Sequence, residues 1–167
     1  MKAYEQIFKY AMQMEMNGYN FYKEKSSSLN NPTSVKMFQS LADAEKDHYK
    51  YLENQFKNYM DTDSYDLNAD TFDFFEDENE FEIIGDSEHL DDTLKESDIP
   101  DITILRMAYL IERDYKEFYQ KAAEDIEDEN IKAIFEKLSK WEQGHETMFK
   151  SEYDKRMKEY MSLPWGG

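Results

Sequence analysis

Two short stretches carry the residues best suited to chemistry: Glu45-Lys46-Asp47-His48 and, 97 residues later, Glu142-Gln143-Gly144-His145. In each, a glutamate and a histidine stand three positions apart. On a helix such a pair shares one face, so both side chains can reach the same ion. Only three histidines occur in the chain, and these stretches use two of them. Each pair also has a lone glutamate 30 residues upstream, Glu15 before Glu45 and Glu112 before Glu142. The six side chains Glu15, Glu45, His48, Glu112, Glu142 and His145 are therefore the candidate metal ligands and the candidate catalytic set. Four carboxylates gathered in a core would repel one another and be costly to desolvate. Two divalent cations would neutralise them. Oxygen-rich ligation with one imidazole per ion suits iron, with manganese or zinc as alternatives. Bridging carboxylates would hold two ions about 3.5–4 Å apart, the spacing of two-metal chemistry.

Such a site needs long helices to present it, and the pattern supplies four. A first helix over about 2–26 places Phe8, Ala11, Met12, Tyr19 and Tyr22 on a stripe with Glu15 in its middle. A carboxylate on an apolar face requires a partner to offset its burial. Ser26 to Pro32 reads as a loop, with Asn31 or Thr33 as cap for a second helix over about 33–60. Its stripe is Phe38, Leu41, Ala42, Glu45, His48, Tyr49 and Leu52. A third helix over about 100–125 carries Leu105, Ala108, Glu112, Tyr115 and Tyr119. A fourth over about 131–160 carries Ile131, Ile134, Phe135, Leu138, Glu142, His145 and Phe149, and the terminal Trp165-Gly166-Gly167 is expected to be a loose end. The two halves repeat at an offset of 97, since Ala11, Phe21, Tyr22 and Phe38 correspond to Ala108, Phe118, Tyr119 and Phe135. Each half is thus a helical hairpin.

Between the hairpins, Asp61 to Pro100 holds sixteen acidic residues and one lysine, most of the net charge of −18. Phe72, Phe74, Phe75, Phe81, Ile83 and Ile84 are interleaved with the acids, so the expectation is a mostly ordered crossover with short helical turns. It is long enough to traverse the bundle and let the second and third helices run parallel, as in bundles with one long crossover. His89 lies here without a partner at ligand spacing and is expected at the surface. At 167 residues, with 5 glycines, 3 prolines and 16% aromatics, the chain reads as one all-α domain over 1–167 with a core of large rings. The absence of cysteine excludes disulfides, cysteine-ligated zinc and iron–sulfur clusters within it. Strong negative charge opposes nucleic acid and anionic membranes, and no basic-then-apolar leader or membrane-spanning run is visible. A cytoplasmic location is expected.

Taken together, Ala11-Met12-Gln13-Met14-Glu15 with Phe21-Tyr22, and Leu41-Ala42-Asp43-Ala44-Glu45-Lys46-Asp47-His48, make the chain resemble the rubrerythrin-related branch of the ferritin-like superfamily. The resemblance spans nearly all of the sequence. It implies a ferritin-like four-helix bundle of two hairpins, two iron ions bridged by Glu45 and Glu142, and shells completed by Glu15 with His48 and by Glu112 with His145. It also implies a homodimer, and an oxidoreductase that reduces hydrogen peroxide or dioxygen. The alternative is an iron-binding, ferroxidase or storage protein without peroxidase turnover. Two departures stand out. The cysteine-rich rubredoxin-like domain typical of that family has no counterpart, so an external electron donor is expected. Tyr115 stands where such proteins tend to carry a further glutamate ligand, three residues after Glu112, which sets peroxidase chemistry that relies on that glutamate apart from the six-residue core. Tyr19, Tyr22, Tyr49, Tyr115 and Tyr119 project from the same faces, as core rings with local hydroxyl partners or as partners of the ligands and electron relays.

Overall fold

The computed structural model describes residues 2–62 and 98–164. The expectations for the acidic crossover, for His89 and for the terminal Trp165 fall outside these, apart from the crossover's first two residues and its last few, which belong to helices. Four helices are present: α1 (Glu5–Ser26), α2 (Pro32–Thr62), α3 (Asp98–Asp125) and α4 (Glu129–Met161). No strand occurs among the described residues. The boundaries differ from the sequence expectation by a few residues. α1 begins later, because Tyr4 provides no side-chain cap and the Glu5 amide is taken up by the Lys2 carbonyl at 3.2 Å. α2 begins directly at Pro32, which suits a first helical position where the amide would lack a partner. Asn31 rather than Thr33 caps it, accepting from the Ser34 amide at 3.1 Å. Asp128 caps α4 by accepting from the amides of Asn130 and Ile131 at 3.0 and 3.1 Å.

Directions follow from which residues meet. Tyr4 and Phe8 of the N-terminal end reach Tyr59 and Phe56 of α2, so α1 and α2 are antiparallel. Phe8 touches Phe135 and Tyr22 touches Phe149, so α1 runs with α4. Tyr10 meets Phe118 while Tyr22 meets Glu112, so α1 runs against α3. The second and third helices are consequently parallel, the arrangement a long crossover permits.

Packing follows a seven-residue rhythm. Phe8, Glu15 and Tyr22 on α1, Phe38, Glu45 and Leu52 on α2, Leu105, Glu112 and Tyr119 on α3, and Phe135, Glu142 and Phe149 on α4 are all 0% exposed. Each glutamate is thus flanked two turns away on both sides by a fully buried ring or leucine. The flanking residues form two apolar clusters, one around Phe8, Phe135 and Tyr119 and one around Tyr22, Phe38 and Phe149. Burying each such side chain contributes about 1.5–3 kcal/mol, which is what holds four carboxylates in the layer between them.

Candidate metal centre

Every helix contributes to that layer, α1 and α3 with one glutamate each, α2 and α4 with a glutamate and a histidine one turn apart. All six side chains are buried, His48 being the most accessible at 3%. Glu142 lies between the histidines, with Oε1 3.1 Å from His48 Nδ1 and Oε2 3.2 Å from His145 Nδ1. Glu45 is shared as well, its Oε1 lying 3.6 Å from His145 Nδ1 and 3.9 Å from His48 Nδ1. The other two are private. Glu15 Oε2 is 3.4 Å from His48 Nδ1, and Glu112 Oε2 is 3.2 Å from His145 Nδ1. One ligand atom from each of Glu45, His48, Glu142 and His145 lies within 4.8 Å of the others. The structure therefore brings together all six residues singled out in the sequence.

The donor set fits cations better than it fits itself. Among the described residues, both oxygens of Glu45, Oε2 of Glu15 and Oε1 of Glu142 accept no hydrogen bond. A buried carboxylate oxygen without a donor carries its full desolvation penalty, so native cores rarely tolerate several together. Titration is perturbed accordingly. Burial, then the charges of Glu142, Glu15 and Glu112, push Glu45 well above the usual carboxylate range. Burial and Glu142 raise Glu112 to about 8. Burial alone would lower His48, but Glu142 and Glu15 outweigh it and hold the imidazole up to about 10. Glu142 is the exception: burial would raise it, yet the two imidazoles hold it well below the carboxylate range. The site thus binds protons tightly when nothing else balances its charge, and divalent cations would take their place.

A second layer of side chains fixes the first. Tyr22 donates its hydroxyl proton to Glu112, and Tyr119 donates to Glu15, each across the α1–α3 gap. The two bonds are the same bond seen from either half of the repeat. Burial, and then the recipient carboxylates, raise both phenols well above their ordinary value, so they stay protonated donors. Of the five tyrosines on the candidate stripes, these two bond the candidate ligands directly, whereas Tyr115 donates to the Met14 carbonyl at 2.8 Å.

Two residues the sequence reading passed over also belong to the site. Gly18 is buried on α1, and a Cβ there would come 2.7 Å from Glu45 Oε2 and 3.3 Å from the Tyr115 ring. Its only signal in the sequence is a glycine in mid-helix. Trp141 stacks on His48, their ring centroids 4.9 Å apart and their planes 11° from parallel. Its signal was simply its place immediately before Glu142.

These features agree with comparisons to known proteins. The fold is similar to a solved structure of a hypothetical protein from Pyrococcus furiosus, with a TM-score of 0.65 and 20% identity over 93% of this chain and 91% of that one. No curated protein sequence matches the chain. Among the described residues no helix is long and apolar enough to cross a membrane. The rubrerythrin family model matches residues 6–153, a span that contains all four helix-borne glutamates and both histidines of the buried layer. The chain belongs to the rubrerythrin family.

Proposed function

We propose that the protein is a di-iron carboxylate oxidoreductase that reduces hydrogen peroxide or dioxygen, with an external electron donor and as a homodimer. The observation that carries this reading is the division of the carboxylates into two shared and two private. Glu45 and Glu142 each approach both histidines, while Glu15 approaches only His48 and Glu112 only His145. That division is what two adjacent ions require. Glu45 and Glu142 would bridge them, Glu15 with His48 would complete one shell, and Glu112 with His145 the other. Bound as Fe²⁺, such a pair would supply two electrons, enough with two protons from solvent to cleave the O–O bond of hydrogen peroxide to water or to bring dioxygen to the peroxide level.

The protein's own residues prepare the site for that reaction. Tyr22 and Tyr119 hold protons at their hydroxyl oxygens and fix the orientation of the private carboxylates. Orientation of ligands by such hydrogen bonds commonly changes metal affinity or activity about 10–100-fold. The rings of Phe8 and Phe135 on one side of the layer and of Phe38 and Phe149 on the other, each pair packed edge to face, shield it from solvent. Gly18 leaves the Glu45 carboxylate room on the α1 side, and the Tyr115 ring closes that side. Anaerobic loading with Fe²⁺, followed by separate single turnovers with peroxide and with oxygen, tests the proposal. Wild-type protein is expected to oxidise its iron faster than an iron-loaded Glu45→Ala control in at least one of them. If neither oxidant discriminates the two proteins, the redox reading fails. Uptake limited to about two irons per chain in a small oligomer is the expected stoichiometry, and a large mineral load would favour storage.

A further inference from the structure

The 97-residue repeat that organises the site is broken beside one histidine. Trp141 on α4 corresponds to Ala44 on α2, so only one hairpin brings an indole to the layer. There the rings form a column: Trp141 on His48 at 4.9 Å and 11°, then His48 on His145 at 5.3 Å and 12°. Tyr51 packs edge-on against Trp141 at 5.3 Å and 72°. The Lys137 ammonium lies over both outer rings, 5.0 Å from the Trp141 centroid and 5.2 Å from that of Tyr51. Cation–π contacts of this kind help hold rings in place. Whereas both histidines are buried, Trp141 is half-buried and reaches solvent. The column therefore runs from the surface to both imidazoles without an aliphatic gap.

We propose that Trp141 is the electron port of the buried site, passing electrons one at a time from a soluble one-electron donor through His48 to the metal pair. The proposal rests on the redox reading above. Tunnelling falls off exponentially with distance and is better supported by stacked π systems than by packed alkyl chains, so a continuous ring column fixes where electrons cross the shell. Each transfer oxidises one donor molecule and reduces one Fe³⁺ to Fe²⁺, and two transfers restore the pair. A ring present only to fill space would need neither the parallel stacking nor the opening to solvent.

The test compares radical lifetimes, with Trp165→Phe as the background so that Trp141 is the sole tryptophan. Ruthenium trisbipyridyl is flashed with hexaammineruthenium(III) as electron-accepting quencher, so that the Ru(III) trisbipyridyl formed oxidises the indole of metal-free, Zn²⁺-loaded and Fe²⁺-loaded protein, and the tryptophan radical is followed by transient absorption. The radical is expected in the first two states. With Fe²⁺ its decay should be at least about tenfold faster, because the iron returns the electron to the indole. Equal lifetimes with Zn²⁺ and Fe²⁺, or no tryptophan radical in the metal-free protein, overturn the port. A second measurement uses Trp141→Phe, which keeps a ring on His48 but is far harder to oxidise. It should slow re-reduction of the oxidised protein by reduced methyl viologen at least about tenfold more than it slows oxidation by peroxide. Equal slowing of the two half-reactions, or none, makes the ring a packing element and overturns the proposal. Iron that peroxide and oxygen fail to oxidise sinks the redox reading itself, whereas normal oxidation with metal-independent radical lifetimes sinks only the port.

Discussion

At the scale of single residues, the layer tolerates little change where α1 faces Glu45. Gly18 and Tyr115 occupy equivalent positions in the two halves, and the large ring on α3 lies over the place where α1 has no side chain at all. A glycine in a helix interior costs about 0.5–1 kcal/mol relative to alanine. The reason to keep it is the Glu45 carboxylate, whose Oε2 would stand 2.7 Å from an added Cβ. Gly18→Ala is therefore expected to leave the metal-free melting temperature level or slightly raised, since the glutamate's far end can swing aside. Metal affinity should fall about 10–100-fold, the usual consequence of disturbing a ligand's orientation. Calorimetric titration with Mn²⁺ or Zn²⁺ alongside thermal melts checks both halves, and undiminished affinity would show that Glu45 has slack to spare. The six acidic and imidazole residues were legible in the sequence because spacing and repetition mark them. Gly18 and Trp141 were not, because their roles exist only once a different helix is brought against them.

At the scale of elements, the ends of the helices are tied together as carefully as their middles. The Asp101 carboxylate near the start of α3 accepts from the backbone amides of Asn30 and Asn31 in the α1–α2 loop, at 3.0 and 2.8 Å. Asn31 Oδ1 in turn caps α2 and accepts from Arg156 Nη2 on α4 at 2.7 Å. One small side chain thus joins the loop of the first hairpin to the last helix of the second. Asn31→Ala removes a helix cap, costing about 1 kcal/mol, and withdraws a partner from a largely buried guanidinium, costing about 1–3 kcal/mol more. A loss of about 2–4 kcal/mol in urea unfolding of the metal-free protein, at unchanged denaturant slope, is expected. A loss below about 0.5 kcal/mol would mean that water replaces the bond. Apolar periodicity located all four helices, but not this clasp. Periodicity reports which face of a helix is buried, while a cap shared between distant helices depends on how the ends converge.

At the scale of the molecule, the two hairpins put four carboxylates and two imidazoles in one buried layer, and that couples folding to pH and metal together. Glu112 is raised from 4.5 to about 8 and His48 from 6.5 to about 10 in the folded protein. In both cases the folded state holds its proton to higher pH than the unfolded chain does. The unfolded chain then binds fewer protons, so stability falls as pH rises through each interval. The His48 contribution is complete below 6.5 and lost as pH climbs through about 10, and Glu112 adds a loss between 4.5 and about 8. Glu142 acts oppositely: its stabilisation is present above 4.5 and is lost as pH falls towards its depressed folded value. Metal-free protein should therefore be most stable on the mildly acidic side, and its melting temperature should drop between about pH 6 and about pH 9. Divalent cations must displace the same protons, so their affinity rises over that range. The gap in melting temperature between loaded and metal-free protein is then expected to widen as the solution becomes more alkaline, following the growth of metal binding free energy. Melts of chelator-treated and Mn²⁺-reconstituted protein across this range read both trends at once. A gap that stays constant or narrows with pH would mean that the buried layer does not exchange protons for metal, and that its carboxylates are neutralised by some other means.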